Sequence, residues 1–194
     1  MSSSSDIRDW HWPGPERFLC SSNPNYIQLN VINATLASDI MWWARALEQA
    51  DLEKMVQNCF IVGLYYIQEE SKENTGKIFS LGHLTKLTIT SGTPIMMIGM
   101  ARVITDRVTF GYLTDVFVLP EYQGKGLGRW MIECLNEVVK DWQALRGFWI
   151  IAGSPDSARL YETSLGAKPA GVYRSTPNDL VLLEKPGPAN PHGH

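Results

Sequence analysis

Between Gly111 and Leu135 the chain writes a strand, a glycine-rich turn and the start of a helix with nothing in between, and this order restricts the fold more than any other stretch. Val116 to Leu119 is β-branched and aromatic, as a buried strand requires. Pro120 ends the strand by removing a backbone donor. Glycines at 124, 126 and 128 follow, and without β-carbons they let a ligand approach the backbone N–H groups closely. From Leu127 the apolar residues recur at Leu127, Met131, Cys134, Leu135, Val138 and Trp142, while Arg129, Glu133, Asn136, Glu137 and Lys140 fill the other side. That is an amphipathic helix. Its first turn offers unpaired N–H groups and the positive end of the helix dipole, both of which stabilise a phosphate.

Three kinds of glycine loop compete for such a ligand, and spacing separates them. A P-loop needs Lys followed by Ser or Thr after its last glycine, whereas Arg129-Trp130 stands here. A dinucleotide fingerprint needs glycines at its first, third and sixth places; counting from Gly124 puts Arg129 at the sixth. The remaining pattern, Gln123-Gly-Lys-Gly-Leu-Gly after a Val-Phe-Val-Leu-Pro strand, resembles the acyl-CoA pyrophosphate loop of the GNAT acyltransferase superfamily. Gln123, Gly126 and Gly128 match that family's Gln/Arg-x-x-Gly-x-Gly/Ala. A second segment agrees: Gly147 to Gly153 reads as another buried strand, followed by Ser154-Pro-Asp-Ser-Ala-Arg-Leu-Tyr-Glu-Thr-Ser-Leu-Gly-Ala. This is similar to the family's helix carrying Leu-Tyr-Glu-x-x-Gly-Phe, with Tyr161 at the tyrosine. The departures are Ser154 for a frequent Asn, one extra residue before Leu165-Gly166, and Ala167 for Phe. The resemblance covers Pro94 to Lys185 and reaches only weakly into the first third.

The resemblance implies a mixed α/β (α+β) fold with a mostly antiparallel central sheet, helices on its flanks, and a splay at the strand before the glycine loop. It implies acetyl-CoA as cosubstrate and acetyl transfer to an amine by direct attack; no metal is expected, since no histidine or cysteine stands at ligand spacing. Backbone groups of Phe117 and Val118 would then bond the pantetheine and polarise the thioester. Gln123, Gly124, Lys125, Gly126, Leu127, Gly128 and Arg129 would hold the pyrophosphate, and Ser154 would add a contact at the next helix start. Tyr161 is the candidate acid toward the leaving thiolate, because a phenol donates a hydrogen bond across neutral pH. Asp115 lies two residues before Phe117, so alternation puts both on one face; it is a candidate base near the amine or a partner for Arg102. Arg102 and Arg107 could bind a substrate carboxylate or stand as solvated charges. Trp42, Trp43, Tyr65 and Tyr66 suit core packing more than substrate contact. The expected acceptor is a small or amino-acid-like amine. A peptide or protein amine and a non-catalytic acyl-CoA-binding domain are the alternatives, and occlusion of the cleft by Trp10, Trp12 or residues 69–94 would favour the last. Phosphoryl transfer is disfavoured for lack of the Lys-Ser/Thr pair.

At 194 residues with 44% hydrophobic content, the chain reads as one globular domain over 25–185, preceded by a partly ordered arm (1–24) and followed by a mobile tail (186–194). A formal charge of −3 gives no attraction to nucleic acid or anionic membranes. No apolar run approaches a membrane span and no signal-like segment begins the chain, so a cytoplasmic or nucleocytoplasmic location is expected. Self-association as a homodimer is left open. Cys20, Cys59 and Cys134 show no metal or disulfide spacing. Asn33-Ala-Thr35 is a sequon of accidental composition. Expected elements in the first half are a strand at Tyr26–Ile32, a helix from Ala34 to Gln49 capped by Asn33, a turn of helix at Leu52–Asn58 and a strand from Phe60. A loop at 69–77 and a strand at 78–90 form an insertion. Strands at 95–105, 110–119, 170–174 and 180–184 complete the list.

Overall fold

Phe60-Ile-Val-Gly-Leu-Tyr-Tyr-Ile is apolar at every position but its glycine, and a strand of that kind must be covered on both faces. The protein, described here by a computed structural model over residues 9–15, 17–68, 94–174 and 179–188, covers it with two pairs of helices. The strands are β1 (His11–Pro13), β2 (Phe18–Ser21), β3 (Phe60–Ile67), β4 (Ile95–Thr105), β5 (Phe110–Val118), β6 (Gly147–Ala152), β7 (Lys168–Arg174) and β8 (Asp179–Pro186). The helices are α1 (Leu29–Leu36), α2 (Gln49–Gln57), α3 (Leu127–Lys140) and α4 (Pro155–Leu165). One sheet runs in the order β1-β2-β3-β4-β5-β6-β8-β7. All its neighbours are antiparallel except β5 and β6, which α3 joins by a crossover. Helices α3 and α4 pack on one face, against residues such as Ile98, Leu113 and Phe148. On the other face α1 and α2 cover Leu19, Tyr65, Met100 and Phe117.

Pairing between β5 and β6 runs only from Phe110 opposite Gly147 to Leu113 opposite Ile150. Beyond that point β5 is held by β4 alone, while Ile151 and Ala152 of β6 pair with β8. The sheet therefore opens as a wedge beside Thr114–Val118, where the splay is expected.

Several expectations give way. Tyr26–Ile32 is not a strand: a short 3₁₀ turn at Pro24–Tyr26 leads into α1. Ile32, Thr35 and Leu36 are buried at the spacing of one helical face, which outweighs the two-residue alternation before it. Asn33 lies inside α1 instead of capping it. The helix ends at Leu36, because Ser38 caps a new turn at Asp39–Met41 by accepting from the Ile40 N–H. The helix expected at Leu52–Asn58 is α2, begun three residues earlier. Strand β6 is buried on one face only, with Trp149 and Ile151 exposed on the other. Where the sequence suggests a partly ordered arm, β1 and β2 form a hairpin at the sheet edge. Trp10 stacks on Trp12, and Trp12 Nε1 donates to Glu137 of α3 at 2.7 Å. The proposed insertion strand at 78–90 and the tail from 189 onward lie outside the described residues.

Gly111 marks the closest packing of β5 on β6. A Cβ there would stand 2.4 Å from the Phe148 ring. Gly111→Ala should lower stability by about 1–3 kcal/mol through overpacking, read as a lower midpoint of urea unfolding with an unchanged m-value.

Candidate active site

The wedge begins with a β-bulge. Arg102 pairs with Thr114 and Met100 with Phe117, so the single residue Ala101 faces both Asp115 and Val116. Asp115 absorbs the extra residue in a left-handed conformation, φ 48°, which Asp tolerates better than most side chains. The bulge reverses the alternation: Leu113 joins the core under α3 and α4, and Phe117 joins the core on the opposite face. Asp115 keeps Phe117's face, as expected. Its carboxylate is 7% exposed, and Arg102 grips its Oδ2 through Nε (2.7 Å) and Nη2. Oδ1 accepts from Thr114 Oγ1 at 3.2 Å and Trp43 Nε1 at 3.4 Å. Arg102 is thus committed to Asp115 and is not a free carboxylate binder. Arg107 sits in the β4–β5 turn over the Phe60 ring, 5.8 Å from its centroid, so of the two readings open for these arginines, carboxylate binding or a solvated charge, neither residue takes the first.

A cavity of about 430 Å³ passes through the wedge. Ile40, Trp42 and Trp43 line it from the α1/α2 side, Tyr112 to Val116 form its β5 wall, and Ser154, Ser157 and Tyr161 of α4 close the far side. The two tryptophans are the largest departure from expectation. They are 67% and 51% exposed, not core residues, and stand edge to face at 5.5 Å. Their loop is held by Asn33, whose Nδ2 donates to the Leu47 carbonyl at 2.9 Å while its Oδ1 accepts from the Leu47 N–H at 2.8 Å. Adjacent tryptophans just after a Ser-capped turn are the signal that could have placed them outside the core.

Tyr161 is fixed by the way α4 starts. Ser154 accepts from the Ser157 N–H, Ser157 Oγ accepts from the Ser154 N–H, and Pro155 stands in the first turn. Ser154 lines the cavity, with its hydroxyl serving as the cap of α4. Tyr161 projects from the second turn into the cavity wall; burial pushes its phenol up to about 12. Its hydroxyl has no hydrogen-bond partner among the described residues.

The glycine loop follows the splayed half of β5. Gly124 and Gly126 both have φ +75°, and a Cβ on either would meet nothing within 4 Å. They are needed for backbone conformation and leave open space above the loop. Gly128 opens α3 against Val118, at 3.7 Å for an added Cβ. Backbone N–H groups from Gly124 to Arg129 have no partner among the described residues, as befits a loop running into a helix start. Leu127 turns its side chain into the core, so its N–H is what it can offer. Lys125 Nζ lies 5.6 Å from the Tyr122 ring centroid and 5.9 Å from that of Phe18, which ties the N-terminal hairpin to the loop. Arg129 is exposed. Gln123 Nε2 donates to the Val118 carbonyl at 2.7 Å, bracing the loop against the strand. Such a cradle suits a pyrophosphate. Among the described residues no cluster of three or more His, Cys, Asp or Glu could hold a metal, and no helix is long and apolar enough to cross a membrane.

Residues 79–167 match the family model described as Acetyltransferase (GNAT) family. "Putative acetyltransferase FG08082" of Gibberella zeae is 36% identical over 171 residues, covering 88% of this chain and 90% of that protein. A GNAT-family structure from Xanthomonas campestris superposes with a TM-score of 0.55 at 24% identity, covering 84% of this chain and 96% of its own. A GNAT acetyltransferase structure from Streptococcus pneumoniae gives 0.57 at 15% identity, covering 88% and 99%. At these identities the two structures speak for the fold alone.

Removing the clip on the tryptophan loop tests its role. Asn33→Ala should cost about 1–3 kcal/mol for two hydrogen bonds, and hydrogen exchange should rise at residues 38–47 while α3 keeps its protection.

Proposed function

The chain belongs to the GNAT acetyltransferase family, and from that premise we propose that it moves an acetyl group from acetyl-CoA to the primary amine of a small acceptor by direct attack, without a covalent enzyme intermediate. The observation that carries this reading is the cavity through the sheet. It joins an acceptor mouth beside Trp42 and Trp43 to Tyr161 on the other face, at the bulged strand whose far end feeds the glycine loop. Among the described residues the mouth is open, which argues against a non-catalytic binder: Trp12 lies in β1, at the sheet edge four strands from β5, with Trp10 stacked on it, and neither lines the cavity.

When bound, acetyl-CoA supplies the thioester to be attacked and the thiol that leaves. On the protein side, the N–H groups of Gly124 to Arg129 take the pyrophosphate, helped by Lys125 and Arg129. Phe117 and Val118, next to the wedge and unpaired with β6, offer backbone groups to the pantetheine arm. Asp115 has donors on both oxygens already, so it is not the base; the ammonium sheds its proton to solvent before attack. Tyr161 Oη donates to the departing sulfur and takes up the proton that the amine releases, so no buried tyrosinate accumulates.

The sign of the pH dependence follows. A phenol raised to about 12 by burial stays in its donor form throughout the neutral and moderately basic range. The amine must be neutral to attack, and its ordinary pKa is about 10. With saturating acetyl-CoA, kcat/KM for the amine should therefore climb up to about pH 10 and not fall through loss of the Tyr161 proton below about pH 11. Tyr161→Phe should lower kcat by about 10²- to 10⁴-fold while leaving the Kd for CoA unchanged. Unaltered turnover in that variant would remove Tyr161 from the role, and thiol release with no amine at all would remove the activity.

A further inference from the structure

We infer that the acceptor is a primary amine carried on an aromatic or apolar body with no second charge. This rests on the acetyl-transfer reading for the reaction, but on the cavity alone for the binding. Among its described lining residues the cavity has no Lys, Arg or His, and its single charged side chain, Asp115, is neutralised by Arg102. A free amino acid would bring a carboxylate into this space with no cation to meet it. A polyamine would bring a second ammonium with no unpaired carboxylate. Either charge would lose hydration without compensation. What the walls offer instead is indole, phenol and aliphatic surface, from Trp42, Trp43, Tyr112, Ile151 and Leu180.

The exposure of the two tryptophans points the same way. Adjacent exposed indoles form an apolar patch of the kind that marks binding surfaces, and Trp43 is anchored by its Nε1 on Asp115, which sets the orientation of its ring. Indole faces attract the ammonium before it is deprotonated and then pack against the body that carries it. A volume of about 430 Å³ falls in the lower part of the range of small-molecule sites, roughly 300–1,000 Å³, and suits a single ring with a short alkylamine arm.

The test uses the full chain with acetyl-CoA and four acceptors in a thiol-release assay: phenethylamine, phenylalanine, spermidine and a short peptide with a free N-terminus. Phenylalanine adds one carboxylate to phenethylamine and is the matched control. The expected result is a kcat/KM for phenethylamine at least about tenfold above the other three. Trp43→Ala should lower it about tenfold, mainly through KM, and Trp43→Phe should restore most of it. Preference for spermidine, phenylalanine or the peptide overturns the inference, as does an equal effect of Trp43→Ala on every acceptor. If no amine releases thiol, the acetyl-transfer reading fails, and calorimetric titration then decides the binding claim separately. Phenethylamine should bind the CoA complex, and Trp43→Ala should weaken it; binding of phenylalanine as tight as that of phenethylamine, or no binding of phenethylamine, overturns the inference.

Discussion

The pairing of Arg102 with Asp115 is the interaction on which the rest of this arrangement turns. A strand that must bulge places one residue in the left-handed region, at a cost on the order of 1–3 kcal/mol, and holds it there only if its surroundings insist. Arg102, on the neighbouring strand, supplies that insistence by gripping Asp115 across the extra residue. Three consequences follow from the one bulge. Phe117 crosses to the α1/α2 core, β5 leaves β6 after Leu113, and the cavity opens where the two strands part. The charged pair in the midst of apolar strands is therefore a device of shape, standing where the cavity opens.

The legible part of the sequence was the part governed by local rules. Strand β5, the loop at Gln123–Gly128 and helix α3 obey pattern and punctuation, and they could be located from residues alone. Helix α4 was placed by its resemblance to the family's tyrosine-bearing helix, although the Ser154 cap and the first-turn Pro155 that start it act within four residues. The acceptor side depends instead on contacts between distant segments. Asn33 looked like a helix cap and serves as a clip for Leu47, a partner 14 residues away that no window of periodicity contains. Trp42 and Trp43 looked like core because large aromatics usually are; only the end of α1 at Leu36 and the Ser38 turn carry them outward. The segment read as a partly ordered arm is tied down by pairing with β3 and by the Trp12–Glu137 bond, both long-range facts.

The two halves of the site are held by different means. On the glycine-loop side, the loop is braced by Gln123 on Val118 and by Lys125 over two rings, and it leads into a helix whose inner face is buried. The acceptor side hangs on a turn and a single amide side chain. Substitutions at residues 39–47 can reshape the acceptor mouth without touching the cradle, whereas changes in the Gly124–Gly128 run strike backbone geometry directly.

Parting β5 from β6 also creates a free strand edge in the interior of a sheet, where backbone groups of Thr114–Val118 face no neighbour on β6. Such an edge on the rim of a sheet would invite another chain to pair with it. Here it begins from a closed register at Leu113–Ile150, so a foreign polypeptide could enter from one end only and would meet the walls of the wedge. A slender ligand bearing amide groups is not so constrained and can lie along the edge as a substitute for the missing strand. The gap thus favours a thin ligand over a second polypeptide along that edge.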